Sequence, residues 1–110
     1  RNMTIFTYGI EKSLLEVLQH YFGEAEYFDV TEQYQDILAL CADVVVISEA
    51  NCSDDVLKII REFEEETKDM DDTLYIYLTT KQQLSVVNTY NTCFGKEKRL
   101  WYLQWILTEH

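Results

Sequence analysis

The stretch DVVVIS at residues 43–48 decides the fold. Its centre holds four consecutive β-branched residues with no polar residue between them. β-Branched side chains favour strands, and a strand with one wet face would alternate apolar with polar residues. An unbroken apolar run therefore indicates burial on both faces, as at the centre of a parallel sheet. We expect residues 44–47 to form an interior strand that is nearly inaccessible to solvent.

Strand-like and helix-like segments alternate on both sides of this stretch. Thr31 and Ser53 are residue types that cap helix N-termini. Alternating strands and helices need right-handed crossovers, which build a parallel sheet with helices on both faces. The sequence therefore predicts a three-layer α/β domain with a mainly parallel sheet of four to five strands. Strands are predicted at 3–7, 26–30, 43–48 and 74–79, and helices at 10–22, 31–42, 82–94 and after Ser53.

The predicted third helix separates apolar from acidic residues. Residues 62–72, at the end of this helix and after it, contain seven acidic residues and one lysine. One interpretation of these acids is a solvated face. The other is a surface that steers a basic partner, because acids at a helix C-terminus oppose its dipole and suggest a use. The side chains expected to face the sheet are Val56, Leu57, Ile59, Ile60 and Phe63. The acidic patch is expected at Glu62, Glu65, Glu66 and Asp69.

Residues 98–108 (KRLWYLQWILT) satisfy two periods at once. Their tryptophans and leucines alternate as in a strand, whereas Leu100, Leu103 and Leu107 lie on one helical face. We favour a closing helix, because Leu, Gln and Glu favour helices and the run is longer than a typical strand. Three aromatic residues cannot all face inward on one helix, so the segment is expected to supply an interface. The expected interface residues are Trp101, Tyr102, Trp105, Lys98 and Arg99.

Composition limits the class of protein. A chain of 110 residues, 47% of them hydrophobic, suffices for one packed domain. We expect that domain over residues 3–110, with Arg1 and Asn2 as cloning remnants before a native Met3. No apolar run approaches the roughly 18–20 residues that span a bilayer. Three cysteines without CxxC spacing indicate neither a disulfide framework nor a zinc site, so we expect a cytoplasmic protein without metal or cofactor.

The net charge of −11 limits the partners. An acidic surface repels nucleic-acid phosphates and anionic lipids, so we expect binding to neither nucleic acid nor membrane. The expected partner is another protein or a second copy of the chain. A symmetric dimer would let the basic cluster Lys96, Lys98 and Arg99 meet the acids of the second copy.

Two motifs resemble the receiver (CheY-like) domains of response regulators. Residues 42–48 (ADVVVIS) are similar to the third strand of that family, in which a small residue or proline, an Asp and four apolar residues precede the phospho-acceptor Asp. Residues 78–80 (LTT) are similar to the end of the fourth strand, where the family keeps a Thr or Ser that contacts the phosphoryl group. The resemblance covers most of the chain through the order of its elements. It implies that Ser48 and Thr79 form a degenerate phospho-site.

The chain departs from the receiver pattern where the family carries its chemistry. Ser48 stands at the acceptor position, and serine has no low-pKa carboxylate with which to take phosphate from a phosphohistidine. Tyr8 and Gly9 stand where the family places an acidic pair for Mg²⁺, a cation that prefers carboxylate oxygens. The family's lysine at the end of a fifth strand has no clear counterpart. The resemblance thus implies a pseudo-receiver. Similar domains that are not phosphorylated occur in pilus-positioning proteins of the TadZ/CpaE type or act as dimerisation modules.

Three functions remain open from the sequence. The first is a non-catalytic signalling domain of response-regulator type that mediates protein–protein interaction or dimerisation without phosphorylation. The alternative is a free-standing acidic inhibitor or immunity-type protein that blocks a basic partner, for example by mimicking the charge of DNA. The third is a small enzyme or nucleotide binder at the strand ends, although we expect no enzyme.

Two local features belong to the third function. Residues 7–13 would form a phosphate loop at a helix N-terminus, but with one glycine where such loops use two or three. A glycine that lets the chain turn is the simpler interpretation of Gly9. Cys52 precedes a helix N-terminus that would lower the pKa of its thiol, but no histidine is paired with it in the sequence.

Overall fold

The structure, a computed structural model, describes residues 3–31, 33–39 and 42–91. Residues 98–108, for which the sequence favours a closing helix over a strand, lie outside this range. The predicted end of the fourth helix at Phe94 lies outside it as well. Every helix within the described range is too short or too polar to cross a membrane.

Four strands alternate with four helices in the described part of the chain. Each predicted strand is found with its ends displaced by at most one residue, whereas the helix ends differ by up to four. The alternation of strand and helix predicted from the sequence is therefore confirmed. The bounds are β1 Thr4–Tyr8, α1 Lys12–Tyr21, β2 Glu26–Asp29, α2 Gln35–Ala39, β3 Val44–Ser48, α3 Asp54–Thr67, β4 Leu74–Leu78 and α4 Thr80–Asn91.

The four strands form one parallel sheet in the order β2-β1-β3-β4. β3 pairs with β1 on one side and with β4 on the other, which confirms its predicted interior position. Val45, Val46 and Ile47 are almost fully buried, as the apolar run predicts. Val44 is only half-buried, because it is the first residue of the strand and lies at the rim of the core.

Helices cover both faces of the sheet. α1 and α4 pack on one face, where Leu14, Leu18 and Val86 join the core. α2 and α3 pack on the opposite face through Ile37 and Ile60. Successive side chains of β3 and β4 enter the two cores in turn, since they point to opposite faces of the sheet, whereas β2 leaves Phe28 48% exposed. The predicted three-layer α/β architecture is confirmed.

The second helix begins later than the sequence predicts. Thr31 is not its N-cap, because α2 begins at Gln35. The Thr31 hydroxyl instead donates to Asp29 Oδ1 at 2.7 Å and accepts from the backbone N–H of Gly9 at 2.9 Å. Ala42, the predicted last residue of this helix, lies two residues before the start of β3 and outside α2. A contact with the loop after β1 thus overrides the capping preference of threonine.

The third helix begins where the sequence predicts. Ser53 is its N-cap, and the Val56 N–H donates to the Ser53 Oγ at 3.3 Å. Ile60 is 0% exposed, whereas Ile59, which the sequence assigns to the sheet side, is 38% exposed. Adjacent residues of a helix are about 100° apart around its axis, so the stripe that buries Ile60 leaves Ile59 at its margin. The inward prediction for Ile59 is therefore wrong.

The neighbouring isoleucines of α3 provide a matched test of the fold. We expect Ile60→Ala to lower the free energy of unfolding by about 2–5 kcal/mol, because it leaves a cavity in the core. Ile59→Ala removes the same atoms from a partly exposed position and should cost less than about 1 kcal/mol. Urea unfolding followed by circular dichroism measures both costs. Equal costs for the two substitutions would contradict this placement of α3.

Candidate functional site

The carboxyl ends of the four strands lie at one edge of the sheet, which is where parallel α/β folds hold ligands. The loops that follow the strands are joined there by hydrogen bonds between side chains and backbone. We call this edge the strand-end site. It consists of residues 8–11, 29–31, 48–52 and 79–83.

Ser48 is the last residue of β3 and is fully buried, with 0% of its surface exposed. Its side chain lies on the face covered by α1 and α4, because side chains alternate along a strand and Val46 belongs to that core. The Ser48 Oγ accepts a hydrogen bond from the Gln83 Nε2 at 2.9 Å. The hydroxyl that the resemblance assigns to the acceptor position is therefore enclosed and has an internal partner.

Gln83, which the sequence analysis did not single out, connects three elements. It lies near the start of α4 and is 1% exposed. Its Oε1 accepts from the backbone N–H of Glu11, the N-cap residue of α1, at 3.0 Å, while its Nε2 donates to Ser48. Glu11 gives α1 no side-chain cap, so Gln83 satisfies a backbone donor at that helix start. One signal was available in the sequence, because Gln83 shares a helical stripe with Val86 and Val87.

Gly9 joins the loops that follow β1, β2 and β3. Its N–H donates to the Thr31 Oγ1 at 2.9 Å, and its carbonyl oxygen accepts from the Asn51 Nδ2 at 2.6 Å. Its φ of +66° lies in the left-handed region, and a Cβ added to it would lie 2.7 Å from the Asn51 Cβ. Both the turn and the close approach of Asn51 therefore require a glycine. The only glycine of the suggested phosphate loop uses both of its backbone groups within the protein.

Thr79 follows β4 and caps α4. Its N–H donates to the Gln82 Oε1 at 2.8 Å, and its Oγ1 accepts from the Gln82 N–H at 3.2 Å. This reciprocal pair is a capping box, and the sequence T-x-x-Q at residues 79–82 is its signature. The predicted helix start at Gln82 is therefore wrong, since α4 begins at Thr80. The hydroxyl that the resemblance assigns to phosphoryl contact takes part in helix capping.

Cys52 lies in the loop between β3 and α3 and is buried. Burial raises the pKa of its thiol, a hydrogen bond from Tyr8 partly offsets that rise, and the charge of Asp54 adds to it. The pKa of this thiol is therefore raised, not lowered as the position before the α3 N-terminus suggested. A raised pKa disfavours the thiolate, which is the nucleophilic form of cysteine.

The predicted acidic patch lies on α3 and in the turn that follows. Two lysines of the same segment lie near it, with the Lys58 Nζ 4.0 Å from Glu62 and the Lys68 Nζ 2.6 Å from Glu65. Both pairs are exposed, so water and salt screen them strongly. Four acids against two lysines leave the patch negative. Its members, all exposed, are Glu62, Glu65, Glu66 and Asp69.

One glutamate of α3 has a different environment. Glu64 is half-buried and accepts a hydrogen bond from the hydroxyl of Tyr77, on β4, at 2.7 Å. The Arg61 guanidinium carbon lies 4.6 Å from the centre of the Tyr77 ring, and an Arg61 nitrogen lies 3.6 Å from a Glu49 carboxylate oxygen. Burial, followed by the hydrogen bond to Glu64, raises the pKa of the Tyr77 hydroxyl above its ordinary value. These contacts fix α3 against the sheet and use Glu64 internally.

The aromatic and basic residues predicted for an interface are not part of the described chain. They are Trp101, Tyr102, Trp105, Lys98 and Arg99. Within residues 3–31, 33–39 and 42–91, no group of three or more His, Cys, Asp or Glu side chains is arranged to hold a metal ion. Comparison of the chain with protein-family models, with curated proteins and with solved structures gave no match.

Gly9 allows a test of how tightly the strand-end loops are joined. We expect Gly9→Ala to lower the free energy of unfolding by about 1–3 kcal/mol, because a left-handed φ is combined with a clash against Asn51. Asn51→Ala removes one hydrogen bond and should cost about 1 kcal/mol. Gly23→Ala is the control for a milder contact, since Gly23 is exposed, its φ is not left-handed and an added Cβ would lie 3.1 Å from the Gln19 carbonyl oxygen, so we expect it to cost less than Gly9→Ala. Urea unfolding measures the stability of all three variants. A Gly9→Ala variant as stable as Gly23→Ala would contradict the close packing of Gly9 against Asn51.

Proposed function

We propose that this domain is a pseudo-receiver: a non-catalytic regulatory domain that mediates protein–protein interaction or dimerisation without being phosphorylated. The enclosure of Ser48 is the observation that carries the proposal. Receivers take phosphate on a carboxylate that a phosphohistidine can reach. The side chain at this position is instead uncharged, fully buried and hydrogen-bonded to Gln83.

The residues around Ser48 support the same proposal. Tyr8 and Gly9 stand where receivers bind Mg²⁺ through carboxylates, and both Gly9 backbone groups are bonded within the protein. Thr79 uses its hydroxyl to cap α4. Because the strand-end site is closed by its own hydrogen bonds, we assign the function to the outer surface of the domain. We therefore propose a binding domain rather than an enzyme, without cofactor or metal.

We infer that the partner is a protein or a second copy of the chain, rather than a nucleic acid or a membrane. The net charge of −11 repels polyphosphates and anionic lipids. The exposed acidic patch attracts basic residues, and such attraction promotes encounter and specificity more than affinity. The basic residues at 96–99 of a second copy are one source of complementary charge. We infer a cytoplasmic location, since the spacing of the cysteines indicates no disulfide framework.

The acidic patch also favours a second candidate function. An acidic inhibitor or immunity-type protein would use these exposed carboxylates to cover a basic partner, with charges that imitate DNA. Such an inhibitor is expected to be a monomer that forms a complex of fixed stoichiometry with one strongly basic protein. Measurement of its hydrodynamic size, together with a pull-down from native lysate, separates this candidate from a self-associating regulatory domain.

The loss of receiver chemistry has a direct test. After incubation with acetyl phosphate and Mg²⁺ we expect no phospho-adduct, because Ser48 stands at the acceptor position and Tyr8 and Gly9 stand where receivers place the acidic pair. Calorimetry should detect no Mg²⁺ binding tighter than millimolar. A phosphorylatable receiver domain treated in parallel is the positive control. A stable adduct on the wild-type chain in intact-mass spectrometry would overturn the proposal.

We propose that two groups of residues take part in association, namely the acidic patch and the aromatic residues of the C-terminal segment. We expect Trp101→Ala and Trp105→Ala each to weaken association by roughly 2 kcal/mol, since aromatic anchors dominate interface energies. Replacing Glu62, Glu65 and Glu66 together by Gln should weaken association mainly at low salt, because exposed charges are screened at high salt. Sedimentation velocity at two salt concentrations measures both effects.

A second triple substitution controls for net charge. Replacing Glu16, Glu24 and Glu26 together by Gln removes the same number of charges from exposed positions outside α3. This control should leave association unchanged. The interface lies elsewhere if the wild type is a monomer at high concentration and both tryptophan variants retain every partner captured from lysate.

A further inference from the structure

Few of the described α4 side chains are buried. Among the α4 residues whose side chains the structure describes, only Gln83 and Val86 are buried, and Gln82 and Val87 are half-buried. Apolar contacts are non-directional and tolerate small shifts, whereas hydrogen bonds need a set distance and angle. The position of α4 therefore depends strongly on the hydrogen bonds that the Gln83 amide makes.

The two hydrogen bonds of Gln83 lead to different elements. One reaches the Ser48 Oγ at the end of β3, at 2.9 Å, and the other reaches the Glu11 N–H at the start of α1, at 3.0 Å. Glu11 lies two residues after Gly9, whose backbone is bonded to Thr31 and Asn51. A shift of α4 would break both bonds of the amide together. It would leave the fully buried Ser48 hydroxyl without its partner, which is costly because water is excluded there, and it would free the N–H of Glu11, an exposed residue.

We propose that Gln83 is a latch that couples the seating of α4 on the sheet to the order of the loop between β1 and α1. Displacement of α4 releases Ser48 and Glu11 in one step, whereas the outward face of the helix, where Leu84 is 53% exposed, makes neither bond. The coupling is reciprocal, so an ordered loop also holds α4 in place. It is a property of the isolated domain and goes beyond the function proposed above.

Amide hydrogen exchange of the full chain, followed by NMR without any partner, tests the latch. Gln83→Leu keeps the approximate size of the side chain and removes both hydrogen bonds. We expect the Glu11 amide to exchange at least about fivefold faster in this variant than in the wild type. Ser48→Ala removes only one of the two bonds and should have a smaller effect in the same direction. Leu84→Ala, on the outward face of the same helix, is the control and should leave the Glu11 amide unchanged.

The Val46 amide in β3 distinguishes a latch from a general loss of stability. General loss of stability speeds exchange at Glu11 and at Val46 by the same factor, whereas the latch requires a larger factor at Glu11, and requires it also in Ser48→Ala, where Gln83 still accepts from the Glu11 N–H. The latch is overturned if the Glu11 amide is as protected in folded Gln83→Leu as in the wild type. It is also overturned if the exchange rate of the Glu11 amide rises only by the same factor as that of the Val46 amide. If Gln83→Leu does not fold, Ser48→Ala decides by the same criterion. Because no partner is present, a negative result leaves the sedimentation test of the proposed interaction unaffected.

Discussion

Burial of β3 on both faces is the constraint on which the other elements depend. Its side chains enter both cores in turn, Val46 on the side of α1 and α4, and Val45 and Ile47 on the side of α2 and α3. A strand without a polar face is unstable at a wet surface, so the chain has to supply a pairing strand on each side and a helical layer on each face. Parallel pairing in turn requires a crossover after each strand, and helices provide these crossovers. The order β2-β1-β3-β4 satisfies all of these requirements.

The same burial explains why the strand-end site is closed. Ser48 continues the buried strand, so its hydroxyl needs a hydrogen-bond partner within the protein. Gln83 provides that partner and, with the other end of its amide, satisfies the start of α1. Gly9 joins two further loops through Thr31 and Asn51. At the edge where other parallel sheets bind ligands, Ser48 and Gly9 thus use their polar groups within the protein, whereas the acidic patch of α3 is exposed.

The fold was predictable from the sequence because its signals are local. The apolar run at residues 44–47 indicates a buried strand whatever surrounds it, and the helical periods mark the helices between strands. The Ser53 cap depends only on an oxygen that reaches a backbone N–H three residues later. The capping box of Thr79 and Gln82 is equally local, so the start of α4 was within reach of sequence reasoning. Ile59 was misplaced because periodicity alone does not show where the margin of a buried stripe falls.

The sequence by itself determined the order of strands and helices, the layers and the acidic character of α3, since each follows from neighbouring residues. The contacts of the strand-end site were decided only by the tertiary structure. Gln83 meets Ser48 across 35 positions of the chain and Glu11 across 72, so no local pattern connects them. Burial likewise set the direction of the Cys52 pKa against the expectation from the helix start. Hydrogen bonding and desolvation depend on which distant groups are brought within a few ångströms, and only the folded chain brings them there.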